Sequence, residues 1–284
     1  MSGAASDDLG WRALGALSWD EAADIFNRSY AGYVIPVHAS GSDLAARCLA
    51  EDIDPLASYV FDDRSGPVGI GLIARRGSRG RLAALAVVPR VRGHGVARPA
   101  LARLVEESRR RGDETLELEV FEHNMPAVRL YEGFGFRPVD RLLGFVLDPG
   151  PAGQAGDGLP AFPLDELAGN LAAQGDQGLP WQLQPETISR IGGSWQVMGD
   201  GEGAFALVDF SRSAAVTLRL LFTLPQLRRA GRARGLLAAI RVRAGGRPVH
   251  VPQLIPERHA AFAHALGFAA AGNPQLRMVL AHAS

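Results

Sequence analysis

Leu82-Ala83-Ala84-Leu85-Ala86-Val87-Val88-Pro89-Arg90-Val91-Arg92-Gly93-His94-Gly95-Val96-Ala97 carries the pattern that selects the architecture of this chain. Its first seven residues form an apolar run that predicts a central strand. Pro89 ends that strand, because proline donates nothing to a ladder. Two glycines come next, and then an amphipathic segment to Arg111, in which Val96, Ala100, Leu101, Leu104, Val105 and Ser108 make one helical stripe. A small-residue loop that opens a helix straight after a strand leaves its amides unpaired at the positive end of the helix dipole. Such a loop can cradle a phosphate.

A second version occurs as Arg228-Arg229-Ala230-Gly231-Arg232-Ala233, and both copies come three residues after a proline, Pro89 and Pro225. Downstream, Gly267-Phe268 repeats Gly135-Phe136 at nearly the same spacing. Two anchors in the same order of elements point to a duplicated domain.

Around the first loop the pattern continues. Ser18-Trp19-Asp20-Glu21 is a capping box, and the helix after it carries Ala22, Ile25, Phe26 and Ser29 on one face. Trp11–Leu17 reads as a first strand and Asp43–Leu49 as a second helix. Ala57–Phe61 and Val68–Ala74 read as strands separated by a turn. Thr115–Phe121 alternates as a strand, with Glu117 and Glu119 on one face. Met125–Tyr131 is a short helix, and a last strand runs to Leu147. Seven of the thirteen residues from Asp148 to Pro160 are Gly or Pro, the composition of a linker. In the second half, strands are expected at 195–198, 204–210, 214–222 and 249–251, and helices around Leu236–Ile240 and at 258–266. The expected division is a first domain at 1–148, a linker at 149–160 and a second domain at 161–284.

Composition narrows the function. The chain has 284 residues and a formal net charge of zero, so nothing draws it as a whole to nucleic acid or membrane. Every basic residue is Arg, which excludes a catalytic lysine. The single Cys48 excludes an internal disulfide and suits a reducing compartment. A cytoplasmic protein is expected, with no membrane span, no metal site and no nucleic-acid partner.

The first half, over roughly residues 10–147, resembles the GNAT superfamily of N-acetyltransferases. The resemblance rests on the strand-Pro-x-x-Arg-Gly-x-Gly-Val-Ala loop, on Leu-Glu-Leu-Glu-Val at 116–120, on Asn124-x-x-Ala127-x-x-Leu130-Tyr131-Glu132, and on Gly133-Phe134-Gly135-Phe136. The second half resembles the same family through its loop, its Gly-Phe corner and its element order. The implied fold is α/β (α+β), with two tandem domains, each a mixed, mostly antiparallel sheet flanked by helices and splayed around a cofactor cleft. The resemblance implies acetyl-CoA as cosubstrate. Backbone groups of Leu85, Ala86 and Val87 would meet the pantetheine arm. Amides of the Arg92, Gly93, His94, Gly95, Val96, Ala97 and Arg98 loop would hold the pyrophosphate, and Asn124 would contact the cofactor near its reacting end. Tyr131 would protonate the departing thiolate, and Glu119 would take the amine proton through water. The acceptor is a small amine or a peptide α-amine, and the aromatic-rich stretch Phe26–Tyr33 is the candidate for its pocket. A homodimer is compatible with all of this.

The same residues leave other readings in place. Glu119 could be a solvated strand residue and Tyr131 a core cap. Aligning the two Gly-Phe corners puts Val251, Pro256 and Ala263 opposite Glu119, Asn124 and Tyr131. The second domain is therefore expected to be catalytically silent. Two competing functions are a ligand-binding sensor without turnover and a nucleic-acid-associated module using the Arg-rich second helix.

Overall fold

The fold is that of a computed structural model, which describes residues 9–33, 38–150, 159–175 and 178–282. The polar start of the chain up to residue 8 and most of the expected linker lie outside the described residues. No helix among the described residues is long and apolar enough to cross a membrane.

Packing divides the chain into two compact units. The first holds residues 1–120 and 124–139 together with the segment from Arg277 onward, and the second holds 121–123 and 140–276. This differs from a consecutive division at 148 and 161. Which unit a strand joins is settled by long-range pairing, on which the local composition at 140–147 or 277–281 is silent.

In the first unit, β1 (Gly10–Ala13), β2 (Tyr59–Asp63), β3 (Gly66–Arg76) and β4 (Arg79–Val87) form an antiparallel meander. The expected first strand stops at Ala13. Leu14–Ala16 is a 3-10 turn, fixed by Leu14 N–H on the Ser58 carbonyl and Gly15 N–H on that of Pro55. Helix α1 (Trp19–Ser29) starts at the expected Ser18/Glu21 capping box and buries Ala22, Ile25, Phe26 and Ser29. A second capping box, Ser40 with Asp43, opens α2 (Gly41–Glu51).

Helix α3 (Ala97–Arg110) is the crossover that a parallel connection requires. It leads to β5 (Thr115–Phe121), which pairs parallel to β4. Glycines on β3 let α3 lie close to the sheet: a Cβ at Gly71 would stand 2.7 Å from Leu104, and one at Gly69 would collide with the Phe61 ring. Phe61, Val68, Val88, Val96 and Ala100 form the buried cluster beneath the loop. Helix α4 (Met125–Gly133) comes next, and the Gly135 corner turns the chain into β6 (Arg137–Leu147).

The second unit contains β7 (Ala161–Phe162), α5 (Leu164–Ala172), α6 (Pro185–Arg190), β8 (Trp195–Gly199), β9 (Ala204–Asp209), β10 (Val216–Thr223), α7 (Arg232–Ala244), β11 (Val249–Pro256), α8 (Ala260–Ala265) and β12 (Ala269–Ala281). Residues of β6 from Asp140 and of β12 up to Leu276 belong to it. Its strand order is β12-β6-β11-β10-β9-β8-β7, and β10–β11 is a parallel pair, as β4–β5 is in the first unit. Helices α5 and α6 are additions to the expected pattern. Leu164, Leu167, Ala168 and Leu171 have helical spacing, and three of them are buried with Ile188. That stripe is a signal the sequence carries.

Candidate functional site

The site grows from one irregularity in β4. Opposite β3, Leu72 pairs with Ala84 and Ile73 with Leu82, so Ala83 is an extra residue in the ladder. A bulge bends its strand and re-aims the residues beyond it. The parallel pairing of β4 with β5 ends at the same place: it runs from Arg79↔Thr115 to Leu82↔Leu118 and no further. Beyond it the strands part into a V, leaving the edge of β4 at Leu85, Ala86 and Val87 without a ladder partner on the β5 side. The Ala83 carbonyl accepts 2.9 Å from the Arg47 guanidinium of α2.

Glu119 is the first β5 residue beyond the split, and it is not a lone carboxylate. The buried Arg81 guanidinium donates to both of its oxygens, with Nε and Nη2 at 2.8 to 3.2 Å, and reaches Glu51 of α2 through Nη1 at 2.8 Å. Arg81 therefore sits between two carboxylates at the base of the V. Burial works against its charge, but the two flanking anions together outweigh burial and raise its pKa. Glu117, on the same face, is pushed above the ordinary carboxyl range by burial and by its neighbour Glu119. Its Oε1 is buried without a hydrogen-bond partner among the described residues. The expectation of a paired acidic face is met in position, but both carboxylates are buried, so the solvated-strand reading of Glu119 does not hold.

Tyr131 is buried on α4, edge-on to Phe136 with ring centroids 5.8 Å apart. Burial raises its phenol pKa well above the ordinary value, and the neighbouring Tyr30 and Tyr33 raise it further. It is thus a neutral phenol throughout the physiological range, suited to donating a proton and not to accepting one. Asn124 caps α4 by accepting from Ala127 N–H at 3.4 Å, and its side chain also hydrogen-bonds Tyr33. Tyr33 stands edge-on to Tyr30 at 5.3 Å, which in turn packs on Phe26 at 4.7 Å. The aromatic end of α1 is thereby brought to Tyr131 and Asn124, as the reading of Phe26–Tyr33 as a pocket wall requires.

The glycine loop has the geometry expected of it. Gly93 and Gly95 are left-handed (φ 77 and 81), with open space where a Cβ would stand. The N-cap position Val96 has no side-chain cap. The amides of Gly93, Gly95, Val96 and Ala97 have no backbone acceptor among the described residues. Arg92 points elsewhere: its guanidinium bonds the carbonyls of Val87, Ser29 and Ala31 at 3.1, 3.0 and 2.7 Å, tying α1 to the loop. Arg98 stacks on Phe134 at 5.2 Å, and His94 turns its Nδ1 onto the Arg92 carbonyl. The loop presents chiefly backbone to a ligand.

The second unit repeats this construction bond for bond. Arg228 Nε donates to the Thr223 carbonyl at 3.2 Å, as Arg92 does to Val87. Arg229 stands at φ 65 where Gly93 stands at 77. Arg219 is the extra residue of a bulge between Leu218 and Leu220, the counterpart of Ala83. Phe268 N–H bonds the Ala263 carbonyl at 3.1 Å, and Phe136 N–H bonds that of Tyr131 at 3.2 Å. Gly267 and Gly135 share φ near 93 and 94. The places of Glu119, Asn124 and Tyr131 are held by Val251, Pro256 and Ala263. No cluster of three or more His, Cys, Asp or Glu able to hold a metal occurs among the described residues.

Comparison with known proteins agrees with this geometry. Residues 19–136 match the model of the acetyltransferase (GNAT) family. N-alpha-acetyltransferase 30 of Saccharomyces cerevisiae is 34% identical over 74 residues, which is 26% of this chain. The chain spans under half, 42%, of that relative's length. A GCN5-related N-acetyltransferase from Sphaerobacter thermophilus superposes with a TM-score of 0.64 at 17% identity, covering 97% of this chain and 96% of the other. A tandem GNAT protein from the clavulanic acid biosynthesis pathway gives a TM-score of 0.65 at 16% identity, over 98% and 100%. At these identities the structures establish the fold. The chain carries a GNAT acetyltransferase domain in its first half, on a mixed α/β fold whose sheet is mostly antiparallel.

Proposed function

We propose that the GNAT domain at residues 19–136 transfers an acetyl group from acetyl-CoA directly to an amine, either a small amine or a peptide α-amine. The observation that carries this reading is the V between β4 and β5, with unpaired loop amides at one end and the neutral Tyr131 phenol nearby. The Gly93–Arg98 backbone would hold the pyrophosphate, and the free edge at Leu85, Ala86 and Val87 would align the pantetheine arm. Asn124 and Tyr33 would flank the reacting end. Acetyl-CoA supplies an activated thioester. The amine nitrogen bonds to its carbonyl carbon, the C–S bond breaks, and Tyr131 protonates the departing thiolate. Holding the amine against the thioester supplies much of the rate.

Glu119 takes the amine proton through water in this reading. Its bidentate bond to Arg81 makes it a weak base, so turnover rises with pH as the free amine fraction grows. The second unit, with Val251, Pro256 and Ala263 at the three chemical positions, is silent in the reaction. The test is a CoA-release assay over small amines and peptide α-amines. Tyr131→Phe is expected to lower kcat about 100-fold or more with acetyl-CoA affinity intact. An unaltered kcat removes Tyr131 from the mechanism.

A further inference from the structure

The second unit holds a cavity of about 730 Å³ that the proposed reaction does not use. It occupies the split between β10 and β11, whose parallel pairing covers only Val216↔Val249 and Thr217↔His250. Leu218, Leu220, Phe222, Val251, Ile255 and Phe262 are among its walls. In the first unit, an ion pair and a phenol stand at the corresponding places. Here Val251 and Ala263 replace them, so the cleft continues as apolar space of the size of ligand sites, about 300–1,000 Å³.

Its mouth is of opposite character. Arg228, Arg229, Gly231, Arg232 and Arg234 line it. The amides of Ala230, Gly231, Arg232 and Ala233 have no backbone acceptor among the described residues. Arg229 has no acidic partner among the described residues. Arg232 is paired with Asp200 and Glu202, but its Nε is buried without a hydrogen bond. A basic, amide-rich mouth over an apolar cavity complements an anionic head carrying an apolar chain.

We infer that the second unit binds a phosphate-headed amphiphile, with the head at the Gly231 loop and an apolar chain longer than acetyl in the cavity. Lacking the acid and the base, it holds this ligand without turning it over. The inference is independent of the first unit's reaction.

The test is calorimetric titration of the full-length Gly95→Trp chain, in which the first loop is blocked. The probes are decanoyl-CoA, CoA and decyl phosphate. One decanoyl-CoA is expected to bind per chain. CoA should bind at least about tenfold more weakly, since each buried methylene contributes about fourfold. Ala263→Trp fills the cavity and should weaken decanoyl-CoA about tenfold or more while leaving CoA unchanged. Gly231→Trp should weaken both. Decyl phosphate binding as tightly as decanoyl-CoA identifies a phosphate lipid as the source, and much weaker binding identifies the thioester; both support the inference. Equal affinity for CoA and decanoyl-CoA overturns it, as does an Ala263→Trp chain that keeps its circular dichroism and binds decanoyl-CoA like its parent. Should Gly95→Trp not fold, the same comparison of Ala263→Trp with the unsubstituted chain tests it through the loss of one decanoyl-CoA site.

Discussion

Replacing Arg81 by Met removes the one charge that two buried carboxylates share. The Arg81 side chain is 3% exposed, Glu119 5% and Glu51 11%. Methionine fills much of the same volume but leaves both acids without their principal partner; Glu51 keeps only Arg47, at 3.4 Å. Breaking a buried pair in this way costs about 3–5 kcal/mol. With a urea slope of about 2 kcal/mol per molar, the midpoint for Arg81→Met should fall by about 2 M at pH 8, followed by circular dichroism. The deficit must also depend on pH. In the variant the folded carboxyls have raised pKa values, so the folded state binds more protons than the unfolded one, and stability relative to the parent grows as pH falls. One carboxyl in mid-titration is worth about 1.4 kcal/mol per pH unit, or about 0.7 M urea. The triple variant Arg81→Met/Glu51→Gln/Glu119→Gln should recover most of the loss at pH 8. A single-variant shift below about 0.5 M, or a deficit that stays constant from pH 8 to pH 5, is incompatible with a buried charge shared by two acids.

Three further outcomes concern other parts of the molecule. Burial works to raise the pKa of Asp200, but the amides of Ala204, Glu202 and Gly203, together with Arg232, lower it to about 2. Its stabilising effect is full above the unfolded value of about 3.9 and is lost as pH falls toward 2. Acid unfolding of Asp200→Asn should therefore show a weaker pH dependence between 4 and 2; an identical acid transition contradicts this. Gly95→Trp should abolish acetyl-CoA binding to the first unit by filling the space over the loop amides, as titration calorimetry with acetyl-CoA would show; intact binding there puts the site elsewhere. Because Tyr131 stays protonated, kcat/KM should rise with pH and show no fall from a phenol below about pH 10. A descending limb near pH 8 that disappears in Tyr131→Phe would count against the assignment.

Local patterns were legible wherever a residue's meaning is set by its near neighbours. The Ser18/Glu21 box, the stripe on α3, the proline stop at Pro89 and the left-handed glycines at 93 and 95 are each determined within a turn or two of chain. The repeat was legible for the same reason: loop and corner motifs recur with their bonds. Arg81 was not singled out, because its role depends on Glu51 and Glu119, which lie far from it in the chain. The end of β4–β5 pairing at Leu82↔Leu118 was implied by the family resemblance, but its cause, the bulge at Ala83, was not visible in the residues. Arg92 was expected at the phosphates, yet it serves carbonyls of Ser29 and Ala31 that only folding brings to it.

The glycine loop thus belongs to the sequence: small residues after a strand produce unpaired amides whatever the surroundings. The charge state of its neighbourhood belongs to the tertiary structure. In the first unit, chain segments distant in sequence place Arg81 between two acids and three tyrosines around Asn124. In the second, the same backbone encloses an apolar cavity, because burial and partners, not residue type alone, decide what a side chain can do.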